Sequence, residues 1–140
     1  MKFLNALIWI WQLPQNLIGF ILIKVTKATV KGRFIDKKIK DYYIAQKHNC
    51  SWAGVSLGNY IVFADDHEAD ETSIRHEFGH QKQSWILGPL YLLFIGLPSV
   101  CGNLWDRYAH KYWPQQKREV WYYTQLWEMW ADYLGKVERF

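Results

Sequence analysis

Thr72-Ser-Ile-Arg-His-Glu-Phe-Gly-His-Gln-Lys-Gln83 decides how this chain is read, because it carries His76-Glu77-Phe78-Gly79-His80, an H-E-x-x-H pattern. Residues four apart on a helix stand one above the other, so His76 and His80 offer two imidazoles to one point. Glu77 follows the first of them and points to the flank of that face, within reach of a water held there. Two imidazoles and a carboxylate with one open position suit zinc, which draws the pKa of a bound water toward neutrality. A helix is predicted over 72–87. Thr72 can cap it, Asp70 and Glu71 place negative charge at its N-terminus, and Gly88-Pro89 ends it. Ile74, Phe78 and Trp85 fall roughly opposite the histidines, so the helix can pack on a core and show its ligands to a cleft. Gly79 costs about 1 kcal/mol in a helix interior, and close approach by a second backbone accounts for it.

Outward from the motif, charge is unevenly spread. Asp65, Asp66, Glu68, Asp70 and Glu71 crowd its approach, while Lys24, Lys27, Lys31, Arg33, Lys37, Lys38, Lys40 and Lys47 crowd the region before it. The net charge of +4 hides that division. No nucleic-acid motif accompanies the basic block, so no nucleic-acid partner is expected, and a place beside an anionic membrane surface fits better. At 140 residues the chain reads as a single domain, 1–140, with enough length for a core. It is 18% aromatic, with nine Trp and nine Tyr, a load typical of chains that touch a membrane interface. Cys50 and Cys101 lack metal-pair spacing and read as free thiols.

Phe3 to Ile23 is uncharged. At about 1.5 Å per residue this run just reaches across a hydrocarbon core of about 30 Å, and an apolar N-terminal helix is expected over 1–25. Asn5, Gln12, Gln15, Asn16 and Gly19 fall largely on one stripe of it, with Leu, Ile, Trp and Phe around the rest. A helix lying in the interface, or packed on protein by its polar stripe, explains that pattern better than an isolated span. Cleavage as a signal peptide is not expected, since one Lys precedes the run and many follow it. Those following cations would stay on the cytoplasmic side.

Residues 28–64 read as a small antiparallel sheet. Thr29 to Ile35 and Tyr42 to Gln46 are short β-prone runs, and Trp52 to Ala64 is broken by Gly54, Gly58 and Asn59. Tyr60-Ile-Val-Phe-Ala64 is the expected buried strand, next to the motif helix. An edge strand beside a cleft can take up an extended peptide by main-chain hydrogen bonds; covering the helix is the plainer role for such a sheet. Gln83 to Trp105 is the second uncharged run. Its apolar part, 84–105, is broken by Gly88-Pro89, Gly96, Pro98 and Gly102, which suits a helix pair or re-entrant hairpin as well as a straight helix.

A last helix is predicted over 114–134, from Pro114 to Leu134. Glu128 and Asp132 are one turn apart on it, and Ala131 is small enough for close approach to the motif helix. Such a pair can supply a third ligand and a partner that orients a ligand histidine. His110 and Asp106 are rivals for the third position.

His76-Glu77-x-x-His80 followed by Glu128-x-x-x-Asp132 on a later helix resembles the gluzincin branch of zinc metallopeptidases. Apolar segments close to the site are similar to those of its membrane-linked members. The wider pattern, from Gly54-x-Ser-Leu-Gly58 to Glu128-x-x-Ala-Asp-x-Leu-Gly135, resembles a group of small bacterial proteins. The resemblance implies an α+β, zincin-like minimal domain with a ligand helix at its C-terminus. It implies Zn2+ on His76, His80 and Glu128, Glu77 as general base, and Asp132 supporting a histidine. Tyr122, Tyr123 and His110 are the candidates for stabilising an oxyanion. The expected activity is hydrolysis of a peptide or protein substrate at the cytoplasmic side of a bacterial membrane. The alternatives are an inactive zinc-binding membrane-associated scaffold, and a membrane-surface module in which the motif is accidental.

Overall fold

In the computed structural model, which describes residues 2–32, 42–46 and 52–140, the first uncharged run forms two helices instead of one. α1 (Lys2–Trp11) and α2 (Leu13–Thr26) meet at 88°. Pro14 in the first turn of α2 explains the break, because its ring cannot continue a helix from α1. Gln12, Gln15, Asn16 and Gly19 of the expected polar stripe are buried against the protein, whereas Asn5 is exposed.

Four short strands follow: β1 (Thr29–Gly32), β2 (Tyr42–Ile44), β3 (Gly54–Leu57) and β4 (Tyr60–Phe63). The sheet order is β1-β2-β4-β3. It is mixed, not antiparallel throughout as expected, because β2 runs parallel to β4. The reason lies in β4, whose Ile61, Val62 and Phe63 are all buried. A strand apolar on both faces takes a central place, with β3 folded back on one side and β2 on the other. The turn between β3 and β4 is Gly58-Asn59. Gly58 has φ +63, and a side chain there would collide with Asn16, whose Oδ1 accepts from Asn59 N–H at 2.7 Å. Residues Arg33 to Ile35 of the first β-prone run, most of the basic block (Arg33, Lys37, Lys38, Lys40, Lys47) and Cys50 lie outside the described residues.

The motif helix is α3 (Glu71–Leu87). Asp70 caps it, not Thr72: the Asp70 carboxylate accepts from Ser73 N–H at 2.7 Å. Ile74 and Phe78 pack on Ile44, Ile61 and Phe63, with Trp85 at the edge of that cluster. The chain then turns through a 3-10 turn (Gly88–Leu90) and a π turn (Leu92–Gly96) into α4 (Leu97–Ala109). The two limbs lie at 119°, so the second uncharged run is a helical hairpin.

The expected last helix is two: α5 (Gln115–Tyr123) and α6 (Leu126–Gly135). Thr124 Oγ1 donates to the Val120 carbonyl at 2.7 Å and Gln125 Nε2 to the Trp121 carbonyl at 2.8 Å. Side chains that bond the preceding turn compete with the helix ladder and end it. α6 lies directly on α3. A side chain at Gly79 would collide with the Ala131 carbonyl, and one at Gly135 with the Arg75 carbonyl. No single helix among the described residues is long and apolar enough to cross a membrane.

Candidate metal centre

The close contact of α3 and α6 brings His76, His80 and Glu128 together. His76 Nε2 and His80 Nε2 are 3.1 Å apart, and Glu128 Oε2 is 3.0 Å from the first and 3.1 Å from the second. All three side chains are buried, Glu128 completely. His110 and Asp106, the rival candidates, pair with each other at 3.1 Å, away from this group. Asp106 also receives Arg118 at 2.7 Å, and the His110 ring stacks on Trp113.

The hydrogen bonds behind the rings fix what the rings present. His76 Nδ1 lies 2.6 Å from Asp132 Oδ1, a carboxylate that Arg139 holds from its other side at 2.8 Å. A carboxylate only accepts, so Nδ1 carries the hydrogen. His80 Nδ1 lies 2.7 Å from Gln83 Oε1. Gln83 Nε2 donates to the Trp127 carbonyl at 2.8 Å, which sets the amide with its oxygen toward His80. Both neutral imidazoles therefore direct an Nε2 lone pair inward, onto a carboxylate oxygen. Three electron-rich atoms converging in a buried space need a cation among them. Their 3.0–3.1 Å separations match the roughly 3.3 Å between donors about 2.05 Å from a tetrahedral ion. The group can hold a metal ion. The far oxygen of Glu128 is occupied too: Ser99 Oγ donates to Oε1 at 2.7 Å and lies 3.0 Å from the Tyr122 hydroxyl.

Without a metal, a proton serves instead. Burial by itself lowers the His76 pKa, but hydrogen bonds to Asp132 and Glu128 outweigh it and push the value up to about 9. Burial works against the Glu128 and Asp132 carboxylates, yet the facing histidines, and Arg139 for Asp132, hold both below the usual range.

Glu77 is buried beside this group, and among the described residues no hydrogen bond ties up its carboxylate. Burial raises its pKa, against the opposing pull of His80 and His76. Glu77, His76 and His80 line a cavity of about 550 Å³ together with Tyr122 and Tyr123. The Tyr123 ring meets His76 edge-on at 5.3 Å. Burial raises both phenols, Tyr123 to about 12, so both keep their hydroxyl hydrogen, and that of Tyr122 goes to Ser99 Oγ. His110 does not line it.

The cavity runs along β3, the edge of the sheet. Ala64 N–H donates to the Ala53 carbonyl at 2.8 Å, in register with the Gly54–Phe63 pair. Pairs in an antiparallel ladder alternate, so the main-chain groups of Gly54 and Ser56 point away from β4 toward the open edge. The Ser56 carbonyl there accepts the Tyr91 hydroxyl at 2.9 Å.

Gln83, Ser99 and Arg139 are site residues that the sequence reading missed. Only Gln83 left a signal, one turn after His80 on the motif helix. Compared with protein-family models, curated proteins and solved structures, the chain matches none.

Proposed function

We propose that this chain is a zinc-dependent metallopeptidase of the gluzincin kind, with His76, His80 and Glu128 holding the metal and Glu77 as general base. One observation carries the reading. Two imidazole lone pairs, each fixed by a hydrogen bond behind the ring, converge with a buried carboxylate beside a second carboxylate that no hydrogen bond among the described residues ties up. Zinc in such a site polarises a carbonyl and brings the pKa of a water near neutrality.

The chain's own groups supply the rest. Glu77 takes the proton of the attacking water and returns it to the departing amide nitrogen. The outward main-chain groups of Gly54 and the Ser56 N–H bind an extended peptide backbone beside the metal ligands. Tyr123 offers a hydroxyl donor to the oxygen that gains charge in the transition state, while the Tyr122 hydroxyl donates to Ser99 Oγ. A purely structural zinc site is usually closed by four protein ligands, and the three that the described residues bring favour turnover over an inactive scaffold.

Elemental analysis of protein purified without chelator should find one zinc per chain. Glu77→Gln should keep that zinc and lose peptide cleavage by about a hundredfold or more. Metal-free wild-type protein, or a variant that cleaves as fast as wild type, would remove the proposal.

A further inference from the structure

The outer surface of this fold is inverted. Gln12, Gln15, Asn16 and Ser84 are fully buried, while Phe3, Leu4, Ile10 and Ile21 are about half or more exposed. The buried set is bonded internally: Ser84 Oγ donates to Gln12 Oε1 at 2.7 Å, and Gln15 Nε2 donates to Ser84 Oγ and the Gly88 carbonyl. On α4, Leu97, Val100, Leu104, Trp105 and Tyr108 are each more than half exposed and fall on one face. Apolar outer faces this continuous are rare on soluble monomers and mark an interaction surface.

The two faces meet at the metal cavity. Ile18 of α2 and Leu97 and Val100 of α4 line the cavity and are also 46%, 55% and 58% exposed, so its apolar mouth opens within this surface.

We propose that this face docks on an anionic lipid bilayer, with the mouth of the metal cavity against the lipid. Charge distribution selects a bilayer over a protein partner. Neither run, Phe3 to Ile23 or Gln83 to Trp105, holds a charge, whereas a protein interface carries a polar rim and about one hydrogen bond per 100–200 Å². Each helix also passes from aliphatic to cationic along its length. α2 runs from Leu17 and Ile21 to Lys24, with Lys27 at its C-cap, and α4 runs through Trp105 to Arg107. Cations and aromatic rings bounding an uncharged apolar stretch fit the headgroup layer. Docking does not depend on the peptidase reading, although it would give that reaction its substrates from the membrane surface.

The test uses the full chain with Cys50→Ser, so that Cys101, exposed on the apolar face of α4, is the only thiol. The protein is floated with phosphatidylcholine–phosphatidylglycerol vesicles and treated with a charged, membrane-impermeant maleimide. A Lys117→Cys, Cys101→Ser version reports the exposed α5 surface. The expected result is flotation, with Cys101 labelled at least about tenfold more slowly than position 117. Leu93→Glu with Leu104→Glu, at two exposed sites that do not line the cavity, should lower flotation about tenfold and leave metal content unchanged. Failure to float, equal labelling at the two positions, or Cys101 shielding by a discrete dimer without vesicles would each overturn the proposal. Metal content and Glu77→Gln flotation, measured in parallel, separate such a failure from a failure of the peptidase reading.

Discussion

His76 joins both carboxylates of the site, since one ring nitrogen faces Asp132 and the other faces His80 and Glu128. That position makes it the pH-sensitive group. In the metal-free protein its pKa is raised from 6.5 to about 9, so its contribution to stability is fully present below pH 6.5 and is lost as pH rises through 9. Zinc must displace that same proton. Apparent zinc affinity should therefore climb about tenfold per pH unit between pH 7 and 8.5, read by competition with a chelator of known affinity. A flat profile would mean that His76 is already neutral in the metal-free protein, so that no proton occupies the site there. Substitutions nearby should grade by distance from the metal. Glu128→Ala should abolish zinc binding, while Asp132→Ala and Gln83→Ala should each weaken it about 10- to 100-fold by freeing a ring to turn. If Gln83→Ala binds zinc as tightly as wild type, the second imidazole is oriented by something else.

At the scale of elements, the site depends on how closely α3 and α6 approach. Gly79→Ala would set a methyl group against the Ala131 carbonyl, with backbone on both sides and little to yield. The helix-propensity gain of about 1 kcal/mol should be outweighed, giving net destabilisation of about 1–3 kcal/mol in chemical denaturation and weaker zinc binding. Increased stability with unchanged zinc affinity would show that the contact is looser than this. The glycine in the motif and the alanine beside the carboxylates made this contact legible in the sequence, because both are small where large residues are common. The motif helix and the core face of Ile74 and Phe78 were legible for the same kind of reason, a period that only one face satisfies. Other features were not. The break between α5 and α6 rests on Thr124 and Gln125 bonding back to their own turn, a choice that local sequence leaves open. The parallel pairing of β2 with β4 is decided by what covers β4, which is a tertiary fact. Ser99, from the apolar run, reaches Glu128 only because the helical hairpin folds over the site.

Across the whole molecule, polar groups lie inside one wall and apolar groups outside it, so substitutions there should invert the usual expectations. In an ordinary soluble domain, replacing a buried glutamine by leucine can be tolerated, and replacing an exposed leucine by glutamine is harmless or helpful. Here Gln15 donates to Ser84 Oγ at 2.9 Å and to the Gly88 carbonyl at 2.8 Å, and so ties α2 to the end of the motif helix. Gln15→Leu would remove both of these bonds, leaving the Gly88 carbonyl with Tyr91 N–H alone and Ser84 Oγ with Gln12 alone, at a cost of about 1–2 kcal/mol. Leu17, two residues on, is 49% exposed. Leu17→Gln should change the stability of detergent-solubilised protein by less than about 0.5 kcal/mol while reducing its share on anionic vesicles. The two variants make a paired measurement, unfolding in mild detergent beside vesicle flotation. The inverted wall predicts that Gln15→Leu loses stability and keeps flotation in whatever remains folded, and that Leu17→Gln does the reverse. The opposite pattern would mean that α2 is an ordinary amphipathic helix whose exposed face has no lipid to meet.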